Sequence, residues 1–281
     1  MKWTSDVTLG DWIVENTSGE LGAGVPDLVP TVFPRYARVF HPMQTSNPSD
    51  PDEPVTEARW SETAAACGTT MTALTQSATV RGLEPAWSQQ DALGTDGRIY
   101  SDPEDGTLTQ LAPLVRLLAQ HTSTPQSAVA GIWNGWGGLT ASEGQVWMRL
   151  ESGHGPTAKL RNAIFTFRAE LASRRKPGPG VLPVVVAQGP TLHLPGRDYF
   201  LARLSLDELM HDDWRDTVAW AGAGFTPGPA LLWPDDQAWA LATEIDLDST
   251  IVGGSGELIE ALVASEDIEA LEIPADADLR W

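Results

Sequence analysis

The sequence predicts an α+β fold, mainly antiparallel sheet with helices packed on it, formed as one unit over residues 1–281. Three patterns carry this expectation. Alternating apolar residues on either side of a tight turn occupy Leu231–Asp248. Apolar residues at helical spacing occur at Leu114, Leu117 and Leu118 and again at Leu258, Ile259, Leu262 and Val263. Strand-like and helix-like stretches intermix without a regular βαβ rhythm, and there is no internal repeat.

From the N-terminus, Met1–Gly24 reads as an irregular lead with a strand around Trp12–Val14, and prolines at 26, 30 and 34 exclude a long helix after it. Tyr36–Phe40 reads as a strand, and Met43–Pro54, polar, acidic and proline-rich, as a loop. Thr56–Cys67 predicts a helix, and Gly82–Asp105 is rich in turns. Pro113 suits the first turn of a helix ending near His121, where an imidazolium is favourable against the helix dipole. Ala128–Trp133 and Gln145–Leu150 read as strands and Ala163–Arg175 as a helix. Lys176–Pro183 is the linker candidate and the one place where the unit would subdivide, at residues 176–183. Val184–Ala187 and Tyr199–Leu206 read as strands, and a helix capped by Ser205 or Asp207 begins at Leu206.

The segment from Leu231 to Leu262 holds the most local information. Leu231, Leu232 and Trp233 end at Pro234-Asp235-Asp236-Gln237, a turn composition, and a second strand follows. Period two places Trp239, Leu241, Thr243, Ile245 and Leu247 on one face, and Ala238, Ala240, Ala242, Glu244, Asp246 and Asp248 on the other. Gly253-Gly254-Ser255-Gly256 reads as a chain break with Ser255 as the cap of a helix, and Ile268–Ile273 as a last strand.

Chemistry-bearing residues are sparse. Glu244, Asp246 and Asp248, three carboxylates at alternate positions, are the candidate ligands for a hard cation such as Mg²⁺ or Ca²⁺. Asp246-Leu247-Asp248-Ser249-Thr250 resembles the first motif of the haloacid-dehalogenase-like phosphatases, Asp-x-Asp-x-Thr after a strand. That resemblance implies Asp246 as nucleophile, Asp248 as acid/base and a bound Mg²⁺. The chain departs from that family: no lysine follows Lys176, and the strand alternates where a doubly wound sheet has continuously apolar strands. The Gly253–Gly256 stretch lacks a P-loop lysine, and Glu257 stands where a nucleophile elbow needs glycine. The five histidines show no metal-ligand spacing. Twelve tryptophans suit core packing, with Trp133, Trp136, Trp233 and Trp239 the candidates for a ligand surface.

Composition bounds the function. With 38 acidic residues against 18 basic ones, the formal charge of −20 argues against nucleic acid and against an anionic membrane, and it permits a basic partner. No apolar run approaches the length of a membrane span, and the first residues lack the apolar core of a secretory signal. A single cysteine, Cys67, excludes an intrachain disulfide and suits the cytoplasm.

YARVFHP (Tyr36–Pro42), RWSETAAACG (Arg59–Gly68), HTSTP (His121–Pro125), IWNGWGG (Ile132–Gly138) and LWPDDQAWALATEIDLDSTIVGGS (Leu232–Ser255) together resemble an uncharacterised protein family of high-GC actinobacteria. The resemblance implies no activity, cofactor or site. The resulting expectation is a non-enzymatic cytoplasmic binding protein with a protein partner and no cofactor. The alternatives are a metal-dependent hydrolase or phosphate-handling enzyme using Glu244, Asp246 and Asp248, and a carbohydrate-binding module.

Overall fold

The computed structural model describes residues 1–20, 22–84, 88–103, 108–136, 138–140, 180–222 and 226–279. Its strands are β1 (Lys2–Thr4), β2 (Arg35–Phe40), β3 (Met43–Ser46), β4 (Thr56–Ala58), β5 (Ala92–Leu93), β6 (Ile99–Ser101), β7 (Ala128–Trp133), β8 (Leu192–Leu194), β9 (Arg197–Leu204), β10 (Leu231–Pro234), β11 (Ala240–Thr243), β12 (Ser249–Gly254) and β13 (Ala270–Ile273). They form two sheets. The larger has the order β1-β9-β7-β10-β11-β12-β2-β13, with β8 also paired to β9; the smaller has the order β4-β3-β6-β5. Each of these pairings is antiparallel. The fold is therefore α+β, as the patterning predicts. Among the described residues no helix is long and apolar enough to cross a membrane.

Alternation along the strands sorts side chains onto two faces of the large sheet. Ala37, Val39, Ala130, Ile132, Phe200, Leu232, Leu241 and Val252 share a core with Leu114, Val115, Leu118, Leu258, Ile259 and Leu262. The last six lie on two eight-residue helices, Leu111–Leu118 and Gly256–Val263. On the opposite face Val129, Leu201, Leu231, Trp233, Ala242 and Ile251 pack under Ile13, Val25, Leu28, Val29 and Leu279. The large sheet is thus covered on both sides. Each fully buried branched aliphatic side chain contributes about 1.5–3 kcal/mol.

Double coverage explains where the sequence misleads. The expected half-exposed strand is β11, and its alternation is large against small. Leu241 faces the helices, and Ala240 and Ala242 face the chain segments packed on the other side. The strand also ends at Thr243, so Glu244–Asp248 is a connection and not a strand end. Gly253 and Gly254, expected to break the chain, are buried strand residues of β12 opposite Tyr36 and Arg35. Glycine is needed at 253 because a Cβ there would lie 2.5 Å from Phe33 Cδ2 and 2.8 Å from Tyr36 Cε1. Ser255 does cap the next helix, its hydroxyl accepting from Leu258 N at 3.2 Å.

Four further expectations change. Trp12–Val14 is not a strand but part of the helix Asp11–Asn16, closed by Thr17 N–H on the Ile13 carbonyl. The loop expected over Met43–Pro54 begins as β3. The Thr56–Cys67 helix begins only at Trp60, after β4, because Glu62 reaches back to the Arg59 amide at 3.0 Å and so fixes its first turn. Val184–Ala187 is a helical turn whose Val184 and Val185 are exposed. Its Gln188 N–H donates to the Val184 carbonyl, closing the turn locally. The strand expected at Gln145–Leu150, the helix at Ala163–Arg175 and the first half of the Lys176–Pro183 linker lie outside the described residues.

Candidate functional site

The three carboxylates proposed as metal ligands do not converge. Glu244 accepts from Arg197 Nη2 at 2.7 Å and from Nε at 3.1 Å, and Asp246 accepts from the same Nη2 at 2.9 Å. Burial works against the Arg197 charge, but the hydrogen bond and field of Glu244, with Asp246 behind it, raise its pKa above the ordinary value. Asp248 turns the other way and accepts from Arg38 Nη2 at 2.8 Å and from Ser77 N at 3.2 Å. Thr250, the motif's last residue, shares its hydroxyl with Thr243 and with His41 Nε2, at 2.7 and 2.9 Å. A nucleophile and its acid/base must face one substrate, and these two aspartates are bound to different arginines. Among the described residues no three His, Cys, Asp or Glu side chains are grouped so as to hold a metal ion.

Asp248 instead belongs to a buried polar chain. Arg38 is 0% exposed and donates from Nε to Ser249 Oγ at 2.8 Å and from Nη1 to the Ala73 and Thr75 carbonyls at 2.9 Å each. Its guanidinium lies 4.8 Å from the Phe40 ring centre and 5.3 Å from that of Trp60. Desolvation lowers its pKa while Asp248 holds the charge in place. Ser77 joins this pair to a second one: its amide donates to Asp248, and its hydroxyl donates to Asp102 at 2.7 Å, the carboxylate held by buried Arg81. The chain Arg38–Asp248–Ser77–Asp102–Arg81 ties Ser77, Arg81 and Asp102 to the large sheet. The available signal was an arginine inside the apolar run YARVF, where a strand buried on both faces admits a charge only with a partner.

His41 lies at the end of β2 and is buried. Desolvation is the main cause that lowers its pKa to about 4, with Arg38 adding to the effect and Asp248 opposing it. It is therefore a neutral imidazole bonded to Thr250, with Nδ1 buried and without a hydrogen-bond partner among the described residues.

The four tryptophans proposed as a ligand surface separate into two kinds. Trp239 is 0% exposed and donates to the Leu118 carbonyl at 3.0 Å, and Trp233 is 2% exposed. Both are core residues. Trp133 and Trp136 are half-buried and meet edge to face, with ring centres 5.8 Å apart at 76°. The Arg197 guanidinium lies 5.2 Å from the Trp133 ring. The two rings are crossed, not coplanar, and an arginine lies beside one of them.

Two clefts remain. The one beside Arg197, Tyr199 and Glu244 has a free volume of about 30 Å³, room for a single water-sized species and not for an organic substrate. The second is a groove of about 550 Å³, within the range of small-ligand and side-chain sites. Its lining includes Asp11, Trp12 and Glu15 from the N-terminal helix, Arg203 from β9, Trp233 from β10 and Asp235 from the turn that follows. Gly10 sets the helix against the sheet, since a Cβ there would lie 2.5 Å from Leu192 Cδ2. Ile13 is buried beneath, and Trp12 meets Trp233 and Phe33 edge to face at 6.5 and 6.2 Å.

The far wall is the Pro234–Gln237 turn, held by a dense set of bonds. Asp236 accepts from the Thr122 hydroxyl, the Ser123 hydroxyl and the Ser123 amide at 2.7, 2.7 and 2.6 Å. Partial burial works the other way, yet these donors hold its carboxyl below the usual range. Asp235 accepts from Ser127 Oγ at 2.6 Å and pairs with Arg203 at 3.0 Å. Gln237 follows with φ +53°, the sole non-glycine in the left-handed region among the described residues. Sequence reasoning missed the groove because its walls come from residues 8–15, 203 and 233–237, and because Trp12 was read into a strand. No protein-family model, no curated protein and no solved structure matches the chain.

Proposed function

We propose that this chain is a non-catalytic binding protein of the cytoplasm whose partner is a protein presenting positive charge. The observation that carries the reading is the fate of the arginines. Arg35, Arg38, Arg81, Arg98, Arg116, Arg197 and Arg203 each hold a carboxylate of this same chain. These arginines, among the described residues, are engaged internally, and with a formal charge of −20 the net charge offered to a partner is acidic. Cys67, with no second thiol in the sequence, supports a reducing compartment.

The test is calorimetric titration with an oligo-arginine peptide and an oligo-glutamate control at an ionic strength of about 0.15 M, where charges more than about 8 Å apart are screened. Saturable one-to-one binding of the basic peptide alone is expected; a non-saturating or salt-abolished response would overturn the reading. The metal-dependent hydrolase alternative is tested separately. A melting-temperature rise with Mg²⁺, Mn²⁺ or Ca²⁺ that disappears in Asp246→Asn would favour it over binding.

A further inference from the structure

We propose that Asn134 is a modification site, at which the Asn134-Gly135 pair deamidates without an enzyme and becomes acidic. The sequence has four asparagines, at 16, 47, 134 and 162, and the first three lie among the described residues. Deamidation needs two free groups: the side-chain amide of the asparagine and an unshielded backbone nitrogen on the next residue. At Asn16 both are engaged. Its Nδ2 donates to the Trp12 carbonyl at 2.7 Å, and the Thr17 amide donates to the Ile13 carbonyl at 3.0 Å. At Asn47 the side chain is bonded to Glu53 at 2.9 Å and to the Ser49 amide at 3.0 Å, and the next residue is Pro48, which has no N–H. Asn134 differs on both counts. Among the described residues neither its carboxamide nor the Gly135 amide has a hydrogen-bond partner.

The fold itself keeps the pair in this state. Asn134 leaves β7 with its own N–H on the Asp198 carbonyl at 2.9 Å, and the chain turns at once, leaving Gly135 exposed. A Cβ at 135 would run into the Trp133 ring, so packing requires glycine there, and glycine has no side chain to shield its nitrogen. The Gly135 nitrogen, on losing its proton to hydroxide, attacks Asn134 Cγ. The new C–N bond closes a succinimide, the Cγ–Nδ2 bond breaks, and Nδ2 takes a proton from water and leaves as ammonia. One water then opens the ring. Addition at Cγ restores the ordinary chain as aspartate; addition at the backbone carbonyl carbon gives isoaspartate, with the chain running through Cγ. Water enters, ammonia leaves, and nothing is oxidised or reduced. Either product adds one negative charge to a chain already at −20. Isoaspartate also lengthens the backbone by one carbon directly after β7.

The test is peptide-mapping mass spectrometry of the full chain after incubation at mildly alkaline and at mildly acidic pH, folded and in urea. In the folded chain Asn134 is expected to convert at least about tenfold faster than Asn16 or Asn47. Its conversion should be faster at the alkaline pH and close to its own rate in urea. Isoaspartate is expected beside aspartate, because the ring can open on either side. Asn134→Gln, whose side chain is too long to close the same ring, is expected to diminish the acidic form seen on isoelectric focusing. Conversion of Asn134 in urea but not in the fold would show that the turn holds the carboxamide away from the Gly135 nitrogen, and the proposal would fall. Asn16 or Asn47 keeping pace with Asn134 would overturn it too, as would an acidic form undiminished in Asn134→Gln. Aspartate without isoaspartate would overturn the succinimide route.

Discussion

Asp246 and Asp248 are two residues apart in sequence and differ in almost every physical respect. The Asp246 side chain is 72% exposed and rests on the rim of the Arg197 cluster. The Asp248 side chain is 14% exposed and is bonded to a guanidinium with no exposure at all. The first is an ordinary surface ion pair, screened and weak. The second compensates a charge that cannot reach water, so removing it leaves a buried cation alone. A motif written as Asp-x-Asp reports charge and spacing. What each carboxylate does depends on which wall of the fold the chain turns toward after β11.

The largest expected effect tests the buried half of that contrast. Asp248→Asn should cost about 3–5 kcal/mol in urea unfolding, since it strands Arg38 among Phe40, Trp60 and two carbonyls. A cost under about 1 kcal/mol would place Asp248 in the same class as Asp246 and dissolve the comparison.

His41 sharpens the contrast by titration. Its folded-state pKa of about 4 lies below the unfolded value of about 6.5, so the unfolded chain takes up a proton first as pH falls. The stability from this group is complete above about pH 6.5, declines through that window and is gone below about pH 4, a loss of about 3 kcal/mol. In His41→Gln the hydrogen bond to Thr250 can be kept by the amide, and the slope of stability against pH between those limits should flatten. An unchanged slope would show that His41 is charged or solvated in the fold.

The contrast also shows what the sequence can and cannot disclose. The hairpin β10–β11, the strands β2, β7 and β9 and the cap at Ser255 follow from short-range chemistry, and each is where turn residues, alternation and helical spacing place it. Gly253 was misleading because glycine marks both a turn and a strand over which rings pass closely, and only Phe33 and Tyr36 decide between them. Arg38, Arg81 and Ser77 were overlooked because their partners lie on segments joined only by folding. The groove was illegible for the same reason: Trp12 and Trp233 are 221 positions apart and meet at 6.5 Å. Local pattern names elements; the burial that separates Asp248 from Asp246 is a property of two covered sheet faces.

Asp246→Asn is the next step down. With one of two carboxylates lost from Arg197 and Glu244 still bound at 2.7 Å, the expected cost is under about 1 kcal/mol and should shrink with added salt. A larger, salt-independent loss would mean that the exposed pair carries structure after all.

The smallest effect on stability belongs to the groove. Asp11 and Glu15 are exposed, and no ion pair or side-chain hydrogen bond among the described residues depends on them. Asp11→Asn with Glu15→Gln should therefore leave unfolding within about 0.5 kcal/mol of the parent. Asp11 does lie in the first turn of its helix, where a negative charge is favourable, so any residual cost should be small and screened by salt. Carboxylates that build the fold lose stability when neutralised, and these two build none of it. If the pair Asp11/Glu15 cost the fold as much as Asp248, the helix would be held by a contact that its exposed face does not show, and the groove would be a structural seam.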